Sequence, residues 1–301
     1  MFSKAINTKF ALNQISKKNF AVNEKALKNR IKSVSSIAKI TKAMKMVSSS
    51  KMKAELARLN AGRHFGYESI DKIFISDVYM QRKNQNYSSG NRVLYVPFTS
   101  DKGLCGGINT GIVREIRTIL GKNQYRNQCG LYVVGDKGCG AFSRPFQDIL
   151  KRGIHDLATP INYSTASSIA HDIGEHGKNF DKIVLIYNKY KSAISTEIIK
   201  NELMPRHKFL DLMSFSKTYN QKLPDKASSN PALYDLYLAS NVYHAILNNL
   251  ASEQSARMNA MENASKNARE IVEKLKLDYN KARQARITME LVEIISGASA
   301  V

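Results

Sequence analysis

Between Ala232 and Ser296 the chain contains neither glycine nor proline, and the same is true from Glu24 to Ala61. Nothing in either stretch obliges a helix to stop. No run approaches ~18 consecutive apolar residues, so a transmembrane helix is excluded. The three cysteines, Cys105, Cys129 and Cys139, are odd in number and lack metal-ligand spacing. That argues against a disulfide framework and a zinc site, and for a reducing compartment. Residues 1–23 lack acidic side chains but carry Lys4, Lys9, Lys17 and Lys18. With Phe2, Ile6 and Phe10 on one helical face, residues 1–22 resemble a mitochondrial presequence with lysine in place of the usual arginine. A plain extension of the first helix is the alternative.

What is present is a chain of 301 residues with 43% apolar content, enough for a real core. All six prolines lie within 97–231 and, apart from Gly62, Gly66 and Gly297, every glycine lies within 90–177. This predicts an α/β domain over 88–228, flanked by helical segments at 23–80 and 229–301. Asn230 as N-cap with Pro231 in the first turn predicts the start of the last helix, and Gly297 its end. At ~1.5 Å per residue such a helix reaches on the order of 100 Å.

Spacings of three and four place Met261, Ala264, Ala268, Ile271, Leu275, Asp278, Ala282, Ala285, Met289 and Val292 on one stripe. A 3.5-residue repeat held over four heptads predicts a coiled coil, and its alanines a closely approaching partner. Leu27, Ile31, Val34, Ala38, Thr41, Met44 and Ser48 form a matching face on the first helix, so the two chain ends are expected to pair antiparallel. An ordinary helical hairpin on a globular core is the simpler alternative.

The net charge of +21 is concentrated on the first helix, while the last carries equal numbers of each sign. A basic helix favours an anionic partner: nucleic acid, anionic lipid or an acidic protein surface.

In the middle, apolar runs at Val93–Phe98, Leu131–Val134 and Ile183–Tyr187 alternate with helical patterns through Ile112, Ile116, Ile119 and Leu120 and at Ser164–Glu175. Strands alternating with helices predict a largely parallel sheet, with Ala193–Ile199 as an antiparallel edge strand. Glycine-rich turns at Gly103–Gly107 and Gly135–Gly140 follow strands as phosphate loops do, but match neither the dinucleotide fingerprint nor the Walker A loop. His171 and His176, five apart, lie on different helix faces, and no nucleophile elbow marks a hydrolase. No catalytic, cofactor or metal site is expected.

Several motifs carry a family resemblance. The first helix reads Arg-Ile-Lys-Ser-Val at 30–34 and Lys-Ile-Thr-Lys-Ala-Met-Lys-Met-Val at 39–47, and the middle region opens with Ser-Asp-Lys-Gly-Leu-Cys-Gly-Gly-Ile-Asn at 100–109. The last helix contains Ser-Glu-Gln-Ser-Ala-Arg-Met at 252–258, Met-Glu-Asn-Ala-Ser-Lys-Asn-Ala at 261–268, Tyr-Asn-Lys-Ala-Arg-Gln-Ala at 279–285 and Glu-Ile-Ile-Ser-Gly-Ala at 293–298. Together these resemble the γ subunits of F-type ATP synthases. Arg286 departs from the pattern, since the family usually has a small or apolar residue there.

The resemblance implies a non-catalytic central-stalk rotor coupling c-ring rotation to chemistry on β subunits. The expected architecture is an antiparallel coiled coil flanking a Rossmann-like α/β domain. Implied partners are three α and three β subunits per copy, the δ and ε subunits of the stalk, and the c-ring. The expected location is the matrix side of the mitochondrial inner membrane. Lys42, Met44 and Lys45, with Arg257 and Met258, are implied to face β. Arg283 and Gln284 form an implied catch, Asp101 and Lys102 a second one, and Thr288 lies in the same interface. Leu291, Val292, Ile294 and Ile295 form an apolar bearing tip. The competing readings are a basic coiled coil that binds nucleic acid and a dehydrogenase-like enzyme.

Overall fold

The computed structural model describes the backbone of residues 2–65, 92–122, 126–214 and 226–299, and the side chains of 24–63, 92–121, 126–211 and 231–299. In chain order the elements are α1 (Phe2–Phe65), β1 (Val93–Pro97), α2 (Ile108–Lys122), β2 (Gly130–Val134), α3 (Asp136–Phe142), β3 (Leu150–Ile154), α4 (Tyr163–Gly177), β4 (Lys182–Tyr190), β5 (Thr196–Leu203), α5 (Arg206–Ser214) and α6 (Lys226–Ala298). Contacts divide the chain into two compact units, 47–260 and 1–46 with 261–301.

The larger unit is a layered α/β fold. Its sheet runs β3-β2-β1-β4-β5, parallel from β3 to β4, with β5 antiparallel at the edge. Alternation along the strands sends side chains to two cores. Leu94, Val96, Tyr132, Val134, Ile183 and Leu185 meet Ala166, Ile169 and Ile173 of α4, Phe209 of α5, and α6 from Tyr234 to Ile246. Tyr95, Leu131, Val133, Val184 and Ile186 meet Ile112, Ile116 and Leu120 of α2 and Phe142 of α3. Leu59 of α1 packs with Leu247 and Ala251. A Cβ at Gly62 would lie 3.0 Å from Leu247, so the missing side chain admits the neighbouring helix.

Polar bonds tie α6 to the β4–β5 hairpin. Asn201 donates to Asn241 Oδ1 at 3.0 Å and Asn188 to Asn249 Oδ1 at 3.1 Å. Ser252 donates to the Asn188 carbonyl at 3.0 Å. Ser255 and Asn259 donate to the Ala193 carbonyl at 2.7 and 2.6 Å.

In the smaller unit α1 and α6 run antiparallel: Lys45 meets Glu262 at 3.1 Å, Ala38 meets Ser265, and Glu24 meets Arg286 at 2.7 Å. The α1 face expected from the sequence is the one turned inward, with Thr41 at 9% exposure and Ser48, in the larger unit, at 2%. On α6 the inward stripe is Met261, Ser265, Ala268, Val272, Leu275, Tyr279, Ala282, Arg286, Met289 and Glu293. It shares five residues with the expected stripe, whose Ala264 and Ala285 are half-buried beside it, but Ile271 and Val292 are 48% and 54% exposed and Asp278 is also exposed. Spacings of three-then-four and four-then-three fit one sequence equally well, and apolar counting chose the other.

The ends of α6 also differ from expectation. It begins at Lys226, which places Pro231 inside it. A proline that close to the start forfeits one early hydrogen bond and continues the helix. The helix runs past Gly297 to Ala298. Helices α3 and α5 and strand β3 had no clear period in the sequence. Strand β3 reads Leu-Lys-Arg-Gly-Ile and is mostly exposed, as suits a sheet edge.

Gly135 turns the chain from β2 into α3 at φ 106°, where a Cβ would sit 2.5 Å from Thr99 Oγ1. Gly135→Ala is expected to cost about 2–4 kcal/mol, while Gly140→Ala, with nothing within 4 Å of its Cβ, costs nothing or stabilises. Urea denaturation of the two full-length variants checks this.

Candidate functional site

The residues singled out by sequence fall into three places. The first is the turn after β1. Ser100 Oγ donates to the Lys102 carbonyl at 2.7 Å, and Asn109 donates through Nδ2 to Ser100 Oγ at 2.7 Å and to Cys105 Sγ at 3.3 Å. Asp101 accepts backbone N–H bonds from Asp136 at 2.9 Å and Leu157 at 3.2 Å. Lys137 N donates to the Ser100 carbonyl at 3.1 Å, and Gly138 N to Thr99 Oγ1 at 2.9 Å. The first amides of α3, which would bind a phosphate in a nucleotide fold, are therefore spent on Thr99, Ser100 and Asp101. Asp101 is an internal brace, while the Lys102 side chain is exposed and Leu104 is 63% exposed.

Arg257 of α6 holds this turn from behind. At 8% exposure it is a buried residue rather than the surface contact the motif suggested. Its Nη2 donates to Glu253 Oε1 at 2.6 Å and to the Lys102 and Gly103 carbonyls at 3.3 and 3.2 Å; Nε donates to Gly103 at 3.3 Å. A planar fork of donors suits a pair of adjacent carbonyls. Burial pushes the Glu253 carboxyl above its ordinary range, with the bonded Arg257 partly offsetting the rise. Met258 beside it is half-buried.

The second place is the coil near its end in α1: Lys42 is exposed, Met44 is half-buried, and Lys45 pairs with Glu262 at 3.1 Å. Glu262 also pairs electrostatically with Lys266 at 3.8 Å, and the bonded Lys45 is the main cause that lowers its carboxyl below the usual range.

The third place is the far end of α6. Arg283, Gln284 and Thr288 are exposed, with Thr288 Oγ1 bonded to the Gln284 carbonyl at 2.9 Å. Beyond them Leu291, Val292, Ile294 and Ile295 are 54%, 54%, 71% and 59% exposed. Bare leucine and isoleucine on an otherwise polar helix mark a surface meant to be covered.

Burial raises the thiol of Cys129, and burial together with Asp136 and Asp101 raises that of Cys139, so neither is a ready thiolate. Among the described residues no helix is long and apolar enough to cross a membrane, and no His, Cys, Asp or Glu cluster could hold a metal. Sequence reasoning missed the Arg257–Glu253 pair, although its i, i+4 spacing was visible.

The class defined here is an α/β protein with a mostly parallel sheet, whose two long terminal helices pair as a coil and leave an apolar helix end uncovered. Residues 23–301 match the family described as ATP synthase. The ATP synthase gamma chain of Pelagibacter ubique is 35% identical over 286 residues, covering 91% of this chain and 98% of that one. The mitochondrial ATP synthase subunit gamma of Ipomoea batatas is 34% identical, covering 93% and 86%. Among solved structures, a chain of the central stalk and c-ring of Tetrahymena thermophila mitochondrial ATP synthase is 45% identical with TM-score 0.69, over 75% of this chain and 99% of that one. A rotor chain of the Euglena gracilis enzyme, 23% identical, shares the fold at TM-score 0.73 over 88% and 99%. The chain belongs to the ATP synthase γ subunit family. These matches support the stalk reading, not the nucleic-acid one.

Arg257→Ala would strand a buried carboxylate and two carbonyls, at an expected cost of about 3–5 kcal/mol. Because the Glu253 carboxyl is raised in the folded chain, the fold binds that proton more tightly than the unfolded chain does. Stability is therefore greatest below the ordinary glutamate range and falls as pH rises through the window above it. Glu253→Gln is expected to remove that fall, as urea midpoints across pH 4–7 will register.

Proposed function

We propose that this chain is the rotor of a mitochondrial proton-translocating ATP synthase, coupling c-ring rotation to ATP synthesis and hydrolysis on β subunits while contributing no reactive group itself. The observation that carries the reading is the exposed apolar end of α6, in a chain of the γ family. Such an end turns inside an apolar sleeve through weak, exchangeable contacts that cost little to break and reform.

The mechanism is a shift of populations. One face of the coil favours the open form of one β site and another face the closed form of the next, so turning the coil moves that preference around three α and three β subunits. Arg283 and Gln284 donate hydrogen bonds to a β subunit during a step; a charged planar fork gives a directional contact that forms and breaks. Lys42, Met44, Lys45, Lys102, Met258 and Thr288 contribute to the same interface, and Leu291, Val292, Ile294 and Ile295 form the bearing. Arg257 and Asp101 act behind this surface, shaping the turn that presents Lys102. The remaining partners are the δ and ε subunits and the c-ring, on the matrix side of the inner membrane, after removal of residues 1–22.

Native isolation through a tag inserted within Asn84–Gly90, followed by mass measurement and an ATP hydrolysis assay, tests the reading. Three α and three β subunits per copy are expected. Recovery alone or with nucleic acid overturns it. In the assembled complex Arg283→Ala is expected to lower turnover roughly tenfold, equivalent to ~1.4 kcal/mol of barrier. The melting of the free chain should stay unchanged, since the side chain is exposed.

A further inference from the structure

Two stripes compete on the outer half of α6. Both contain Met261, Ala268, Leu275, Ala282 and Met289. One adds Ala264, Ile271, Asp278, Ala285 and Val292; the other adds Ser265, Val272, Tyr279, Arg286 and Glu293. The first has fewer polar groups to desolvate, and burial of apolar area alone would select it. The coil turns toward the second: Ser265 is 4% exposed, Ile271 and Val292 are 48% and 54% exposed, Asp278 is exposed, and of the first set only the small Ala264 and Ala285 stay half-buried. At 100° per residue the i+4 set leads by 40° and the i+3 set trails by 60°, so the two alternatives differ by about 50° of rotation of α6 about its own axis.

Polar contacts mark the choice. Arg286 Nη1 lies 2.7 Å from Glu24 Oε2, with the Glu24 side chain 13% exposed and that of Arg286 39%. The pairing is electrostatic rather than an aligned hydrogen bond. Glu290 flanks Arg286 at 3.6 Å. Further along, Ser265 Oγ donates to the Ala38 carbonyl at 3.4 Å. In the other rotation Arg286 would swing about 50° from the seam toward its flank, drawing the cation away from the enclosed Glu24 carboxylate. An enclosed carboxylate without a partner is costly.

We propose that Glu24 and Arg286 are the azimuthal key of the coil: a positioning pair that gives up apolar burial to fix which face of α6 is turned outward. Polar residues in a coiled-coil seam set register and orientation at a cost in stability. This seam uses one such pair to keep Ile271 and Val292 outside. Ile271 and Val292 stay on the surface together with Ile287, Leu291, Ile294 and Ile295. That these side chains then meet the sleeve rests on the rotor reading; the rotation itself does not.

The test is disulfide cross-linking of the full chain in its isolated complex. Ala38→Cys is combined with Ser265→Cys in one variant and with Ala264→Cys in another. The 38–265 cross-link should dominate in the native background. Glu24→Leu with Arg286→Leu should move the yield ratio toward 38–264 by roughly tenfold, and the swap Glu24→Arg with Arg286→Glu should restore it. A ratio unchanged by the leucine pair, or not restored by the swap, overturns the proposal. ATP hydrolysis is read on the same complexes. If the ratio shifts while hydrolysis holds, the key stands and the bearing role of the outward stripe fails.

Discussion

The bonds made by one buried guanidinium organise much of the larger unit. Arg257 holds the carbonyls of Lys102 and Gly103, which fixes the turn after β1. That turn then spends Thr99, Ser100 and Asp101 on the first amides of α3 and on Leu157. The turn after β2, where a nucleotide fold would hold phosphate, is thereby closed to it by the Thr99 and Asp101 side chains and the Ser100 carbonyl. The cost of burying Arg257 is offset by the carbonyl and carboxylate acceptors that Nη2 and Nε meet, with Glu253 as the ion-pair partner.

The sequence made the architecture legible wherever one periodicity dominated. Strands β1, β2 and β4 are nearly unbroken apolar runs because the parallel sheet buries both faces. The long helices were legible because glycine and proline are absent from all but their ends, where Gly62, Pro231 and Gly297 fall. Helix α3, with three glycines in or beside seven residues, has no such pattern, and exposed β3 carries Lys151 and Arg152 where an interior strand would carry valine.

Site residues were legible to different degrees for a physical reason. The exposure of Arg283 and Gln284 needs only a helix to produce it, so a local pattern is enough to show it. Arg257 and Asp101 depend on contacts between segments distant in sequence, and no local pattern shows that a charged side chain faces inward. The same holds for the α6 stripe. Ile271 and Val272 are adjacent and both apolar, and contacts with α1, more than two hundred residues away in sequence, distinguish them.

The polar ladder between α6 and the β4–β5 hairpin has a mechanical meaning. Apolar surfaces can slide past one another, because dispersion contacts are non-directional and reform after a shift. The bonds of Asn241, Asn249, Ser252, Ser255 and Asn259 are directional, and a displacement of one residue would misalign all five together. The hairpin is therefore coupled stiffly to the helix against shear. A force applied at its tip, where Ile194 stands 89% exposed, reaches the helix as load instead of being dissipated as slip.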